Sequence, residues 1–434
     1  MKYLYSRKLN LKIAIVFFLG LYVHVLYSQT QIKVMSYNVM HFPSTLYYDV
    51  NVSDYVPRTP VLKYILDDYQ PDIFMVCELE SAEGADIILN DILNAESDKF
   101  KRANFSFNQS TTYTNLQQLV FYNQQKLELV YQNIILTDVR DINHYSFRLN
   151  STEEDVFVEV FVAHLKSSQG SAEENQRLQM VQQLTTYLES IPTSHYVIFG
   201  GDFNLYDSYE PAYQELLDTS NAFPLNDPID RPGNWHNNSS YQDIHTQSPL
   251  TSSYQFDSPY YDWEGTTGGM DDRFDFVLVS DNLITGSDLY YVSDTYRAFG
   301  NNGNCFNGQI NDYSCSGDDY SQELRDNLVN MSDHIPVVMT LETPITLSNN
   351  ETTLVGLLKF MSSNVSDNNI LLWASEELKG KDIVVYNQLG QEVKNISIES
   401  NEIDLNINDL SQGMYWMTIA DSNLSFEALK FIKQ

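Results

Sequence analysis

The chain has 434 residues, with 58 Asp plus Glu against 25 Lys plus Arg and a formal charge of −33. That balance argues against a basic strip tracking a phosphate backbone, and 43% hydrophobic with 13% aromatic residues excludes a disordered acidic tail. Single cores stop growing at about 250 to 300 residues, so one large domain with something smaller attached is expected.

Lys2, Arg7, Lys8 and Lys12 precede the apolar run Ile13 to Tyr27, and Ser28 offers a small residue for cleavage. This reads as a secretory signal peptide over 1–28; the run is too short, and too interrupted by His24, for a membrane anchor. No later stretch is long enough to span a bilayer, so no stable membrane insertion is expected. In an exported chain, Cys77, at the end of the apolar run from Ile73, reads as a buried thiol. Cys305 and Cys315 flank a Gly, Asn and Asp-rich loop and are expected to form a disulfide, the alternative being two free thiols.

From Gln31 onward short apolar runs alternate with helices and long polar loops. Ile32 to Tyr37 alternates like a strand, Val61, Leu62, Ile65, Leu66 and Tyr69 recur at helical spacing, and Ile73 to Cys77 is a buried-strand run. Leu119 to Tyr122, Leu127 to Tyr131 and Val156 to His164 follow as strands, the last with both faces partly buried. Ser171 and Glu174 suggest a capping box before the helix carrying Leu178, Val181, Leu184 and Leu188. Tyr196 to Phe199, Phe274 to Val279 and Pro336 to Leu341 complete a mixed α/β layout with two sheets. Beyond Leu341 the text turns to Thr, Ser and Asn, and Val355 to Lys433 holds only short β-like runs, as in a small β-sandwich.

Polar residues fall where strands end. Asn38 follows the first strand, Glu78 follows Ile73 to Cys77, and Asp202 with Asn204 follows Tyr196 to Phe199 across Gly200-Gly201. Asp275 lies in Arg273-Phe-Asp-Phe, and Asp333-His334 precedes Ile335-Pro336. A rigid sheet holds such groups at a cleft. Asp202 and Asn204 can point to one side if the chain stays extended, and the two glycines allow close approach of backbone and substrate.

Ser36-Tyr-Asn38, Asp72-Ile-Phe-Met-Val-Cys-Glu78, Ala163-His-Leu-Lys166, Gly201-Asp-Phe-Asn204, Arg273-Phe-Asp275-Phe and Ser332-Asp-His334 stand in the order found in the endonuclease/exonuclease/phosphatase superfamily. About residues 31 to 342 resemble that family. The resemblance implies a DNase I-like four-layered α/β sandwich and hydrolysis of a phosphoester by an activated water with a divalent cation. It implies Glu78 and Asn38 as Mg²⁺ ligands with a contribution from Asp333, Mn²⁺ as an alternative ion, and room for a structural Ca²⁺ elsewhere. His334, oriented by Asp275, handles the water's proton; Asp202 and Asn204 position water and phosphate; His164 binds phosphate or protonates the leaving oxygen. Lys166, Arg177 and Arg273, with Lys101-Arg102, are the cations expected nearest the cleft.

The segment from Ala163 to Tyr213 resembles secreted bacterial extracellular nucleases, which implies nucleic acid as substrate. A phosphomonoesterase, a phospholipid-cleaving enzyme and a non-catalytic phosphate-ligand-binding protein are the alternatives. Ile383 to Val393, Ile403-Asp-Leu and Leu410 to Trp416 resemble the type IX secretion sorting domain of Bacteroidetes, the alternative being a substrate-binding or adhesive β-module. That implies export through the type IX machinery to the cell surface or medium. The expected organisation is a signal peptide over 1–28, a catalytic domain over 29–345, a linker over 346–356 and a sorting domain over 357–434.

Overall fold

The computed structural model describes residues 30–434 except 45, 48–54, 111–115, 152–154, 252–254, 257–264, 346, 348–357, 362–363 and 421–427. The expected signal peptide and nearly all of the expected linker lie outside the described residues.

The larger domain begins with β1 (Thr30–Phe42), α1 (Arg58–Tyr69), β2 (Ile73–Leu79), β3 (Phe100–Arg102), β4 (Gln117–Asn123), β5 (Leu127–Ile135), β6 (Ile142–Leu149) and β7 (Phe157–His164). It continues through α2 (Ser171–Leu188), β8 (Tyr196–Asp202), α3 (Pro211–Leu216), β9 (Asp275–Ser280), α4 (Gln322–Met331) and β10 (Val337–Thr343). In one sheet β1 lies between β10 and β2, antiparallel to the first and parallel to the second, and β4 and β3 follow outward. The other sheet runs β9, β8, β7, β6, β5, with β7 and β8 parallel.

Alternation along the strands explains the layering. In β7, Val158, Val160 and Val162 pack into the core between the sheets, while Phe161 and Ala163 face the opposite way, into a second core under α2. In β8 and β9, Ile198, Val277 and Val279 point inward and Val197, Phe199, Phe276 and Leu278 outward. Met180, Val181, Leu184 and Leu188 of α2 cover that outer face, each fully buried apolar side chain contributing about 1.5 to 3 kcal/mol. Val61, Leu62, Ile65 and Leu66 of α1 cover the other sheet. The result is the four-layered α/β sandwich that the motifs imply.

Two local expectations are corrected. The α2 N-cap is Gly170, at φ 130, and no side chain caps the helix, so Ser171 and Glu174 lie inside it and form no capping box. The glycines before Asp202 serve packing: a Cβ on Gly201 would stand 1.8 Å from the Ala163 carbonyl oxygen, and one on Gly200 would stand 2.6 Å from Met75 of the facing sheet. The Cys305–Cys315 disulfide forms, and Cys77 is a buried free thiol.

In the C-terminal region, strands Leu358–Phe360, Asn369–Ala374 and Glu402–Asn406 make one sheet, and Val365–Ser366, Leu429–Lys433, Gly413–Ala420, Asp382–Tyr386 and Glu392–Ser397 a second. Ile370, Leu372, Ile383, Val385, Leu405, Tyr415, Met417 and Phe431 fill the core between them, a β-sandwich as the sequence pattern predicts. Among the described residues no helix is long and apolar enough to cross a membrane.

Candidate active site

The carboxyl ends of β1, β2, β7 and β8 meet at one end of the sandwich, and each delivers a polar side chain: Asn38, Glu78, His164 and Asp202. Because β9 runs antiparallel to β8, its first residue lies there too; Asp275 is paired with Asp202, which pairs on its other side with His164. The turn before β10 adds Asp333 and His334. Ser332 fastens that turn by donating from Oγ to the Asn38 carbonyl at 2.7 Å.

Glu78, His164 and Asp202 offer ligand atoms within 4.8 Å of one another. The His164 ring spans the two acids, Nδ1 standing 3.7 Å from Glu78 Oε1 and Nε2 3.5 Å from Asp202 Oδ2. Its Nδ1 is buried without a hydrogen-bond partner. Burial, reinforced by the charges of Arg140 and His334, holds its pKa well below the usual histidine range, so the ring is neutral and keeps a lone pair. Burial and the neighbouring Asp275 and Glu78 push Asp202 up to about 7, although His334 and the Asn38 amide pull it down. A crowd of buried carboxylates, a neutral imidazole and an unpartnered nitrogen suit a divalent cation.

His334 forms a dyad with Asp275, Nδ1 to Oδ2 at 2.6 Å. Burial alone would lower its pKa, yet the charges of Asp275 and Asp202 outweigh burial and hold it well above the usual value. Its Nε2 lies 3.6 Å from Asp202 Oδ2 and 2.6 Å from the Gln247 side-chain nitrogen. Thr246 braces Asp275, its Oγ1 accepting from the backbone N–H of Phe274 and Asp275.

Several expected roles change. Asn38 Oδ1 accepts from the Met40 N–H at 3.0 Å, so the amide turns its Nδ2 to Glu78 (3.0 Å) and Asp202 (3.1 Å) and presents a donor where an oxygen ligand was expected. Asp333 lies outside the cation cluster; its Oδ2 accepts from Thr266 N–H, and its Oδ1 is buried without a partner. Asn204 adopts φ 50, so the chain turns there instead of staying extended, and its amide donates to the Leu165 carbonyl.

The expected cleft arginines are structural. Arg177 is fully buried, paired with Glu210 at 2.7 Å and donating to the carbonyls of Lys166 and Ser168. Arg273 forms a two-bond pair with Asp227 at 2.7 and 2.8 Å and lies 4.2 Å from the Phe276 ring centroid. Arg102 pairs with Asp86, whereas Lys166 is half-buried and donates to Ser167. Sequence reasoning passed over Gln247, His41 beside Glu78, and Arg140, whose Nη1 donates to the Leu165 carbonyl and whose Nε is buried without a partner.

Residues 35–334 match the model of the endonuclease/exonuclease/phosphatase family, and the chain belongs to that family. Its members hydrolyse phosphoester bonds and use divalent metal ions. Residues 364–434 match the secretion-system C-terminal sorting domain, which directs the chain to the medium or the cell surface and marks it for the type IX machinery. Among solved structures the chain is similar to TDP2 of D. rerio complexed with a single-strand DNA product, at 15% identity over 72% of this chain and 100% of that one, TM-score 0.43. It is similar to a mannosyl-6-phosphatase of Bacteroides thetaiotaomicron, at 15% identity over 71% and 99%, TM-score 0.44. An endonuclease/exonuclease/phosphatase family protein of the same organism is similar at 16% identity over 73% and 98%, TM-score 0.43. No curated protein matches the chain.

Proposed function

We propose that this exported protein is a metal-dependent phosphodiesterase that cuts nucleic acid by attack of an activated water. The observation that carries the reading is the meeting, at one end of the sandwich, of the His334–Asp275 dyad with the Glu78, His164 and Asp202 cluster. A phosphate is a poor electrophile, so its oxygens need neutralising, its water aligning and its leaving oxygen stabilising. A divalent cation held by Glu78, His164 and Asp202 supplies the neutralising charge when bound.

The chain's own residues do the rest. Asp275 fixes the tautomer and orientation of His334 through Nδ1, leaving Nε2 to hold or pass a proton. Asp202 stands beside that nitrogen, its Oδ2 3.6 Å away, and orients the attacking water. Asn38 bridges the two carboxylates by donating from its amide nitrogen to Glu78 and to Asp202. Asn204 and Lys166, on loops following β8 and β7, are the residues proposed to meet a phosphate oxygen.

The choice of nucleic acid rests on the likeness of Ala163 to Tyr213 to secreted bacterial nucleases. One observation favours a second reading, a small phosphomonoester or phosphodiester: Arg177 and Arg273 are spent on internal acids and grip no polyanion. The test incubates the protein with plasmid DNA, RNA, an aryl phosphate monoester and an aryl phosphate diester, each with Mg²⁺, with Mn²⁺ and with EDTA. Metal-dependent cutting of nucleic acid is expected. Turnover of the aryl esters with intact DNA and RNA would select the second reading, and no turnover of any substrate would defeat both.

A further inference from the structure

Three segments lie side by side next to the dyad. Gln247 forms single-residue antiparallel bridges with Asp272 on one side and His334 on the other. Thr246 and Gln247 donate to the Asp272 carbonyl at 2.7 and 3.1 Å, Asp271 and Asp272 donate back to the Gln247 carbonyl at 3.0 and 3.1 Å, and Ile335 donates to the Thr246 carbonyl at 2.8 Å. Residues directly opposite one another in such pairs send their side chains to the same face. Asp272, Gln247 and His334 therefore form a row on one face, in keeping with the 2.6 Å contact between the Gln247 side-chain nitrogen and His334 Nε2. Opposite Cα atoms stand about 4.5 to 5.5 Å apart, so Asp272 is two such steps from the dyad.

Asp272 is only 8% exposed, yet one of its oxygens is uncommitted. Oδ1 meets His236 Nδ1 at 2.6 Å, whereas Oδ2 has no partner among the described residues and keeps contact with solvent. His236 packs edge-on against the Tyr206 ring, 5.3 Å between centroids, on the loop that carries Asn204. Burial, reinforced by Asp271, pushes the Asp272 carboxyl up to about 6, while His236 and, across the row, His334 pull it down. Among the described residues no Arg or Lys pairs with Asp272, and Arg177 and Arg273 are engaged elsewhere. A carboxylate in that setting repels a second phosphate and accepts a hydrogen from a neutral donor.

The hydrogen-bond donor that a nucleic acid carries nearest its phosphate is the ribose 2′-hydroxyl, which tells RNA from DNA. We propose that Asp272 Oδ2 accepts a hydrogen bond from that hydroxyl, that His236 holds the carboxylate in place for it, and that the site takes RNA in preference to DNA. The attacking group remains the water, and the hydroxyl serves recognition. This inference rests on the nucleic-acid phosphodiesterase reading above and adds which nucleic acid is cut.

The test measures kcat/KM of the purified full chain, with Mg²⁺ and with Mn²⁺, on single-stranded RNA and DNA of one sequence and on that DNA carrying a single ribonucleotide. The wild type is expected to cut RNA at least about tenfold faster than DNA, the worth of one hydrogen bond to a charged group. In the mixed strand the cuts should concentrate at the ribonucleotide. Asp272→Ala is expected to bring the ratio of RNA to DNA turnover to within about threefold of one. A merely structural loss lowers both substrates alike and leaves the ratio as it was, so an RNA preference that survives in Asp272→Ala would overturn the assignment. The mixed strand needs no variant: wild-type cuts spread evenly along it, or equal cutting of RNA and DNA, would overturn the inference and leave the phosphodiesterase reading standing. No cutting of any of the three strands would overturn both.

Discussion

Two buried histidine and carboxylate clusters sit on the same sheet, and β7 contributes to both. Glu159, on the outer face of β7, accepts from Ser146 and is bonded by His144 Nε2 and His195 Nδ1, each at 2.6 Å; the far nitrogen of His144 meets the Tyr187 hydroxyl. The two rings stack on Phe161 and Phe157. Five residues further along, His164 faces the gap between the sheets with Glu78 at 3.7 Å and Asp202 at 3.5 Å, its Nδ1 unpartnered. The residue types match; the completeness does not. The first cluster closes on itself and its hydrogen bonds serve the fold, whereas the second is left short of positive charge and of partners, as a site must be if a cation and a substrate are to complete it.

That contrast can be broken at several points. Asp275→Asn should lower kcat by about a hundredfold to ten-thousandfold, the range lost with a general acid or base, while circular dichroism stays native. A variant within threefold of wild type would remove the dyad from the chemistry. Arg273→Ala strands a buried Asp227 and should cost about 3 to 5 kcal/mol in denaturant unfolding; a loss of substrate affinity at unchanged stability would return Arg273 to the cleft.

The smallest effect is a pH dependence. The Asp202 carboxyl is raised to about 7 in the fold against about 3.9 in an unfolded chain, so the native state holds that proton more tightly. Its contribution to stability is full below about pH 4 and is lost as the pH rises to about 7. In chelator, Asp202→Asn should therefore melt a few degrees above wild type at pH 8 and level with it at pH 4. A lower Tm at pH 8 would show that Asp202 stabilises the apo fold.

Much of this was legible in the chain. Glu78, Asp202, Asp275 and His334 sit at the ends of apolar runs, which pointed to a cleft, and the motif order shared with the family brought them to one site before any coordinate. His41 escaped because a bulge reverses its parity, which no alternation pattern marks. Arg177 and Arg273 were misassigned because sequence gives charge and not partners: Glu210 and Asp227 lie 33 and 46 residues away. Asn38 faces the site as expected, but which end of its amide does so depends on a neighbouring backbone N–H, that of Met40, which sequence does not show.

The most direct test of the account measures kcat/KM on one phosphodiester substrate and Tm for His334→Ala and Glu159→Gln side by side. We expect His334→Ala to lose at least about a hundredfold in kcat/KM with Tm within a few degrees of wild type. Glu159→Gln should lose about 1 to 3 kcal/mol of stability with kcat/KM within threefold. The reverse pattern, an active His334→Ala and an inactive but stable Glu159→Gln, would place the chemistry in the closed cluster and contradict the account.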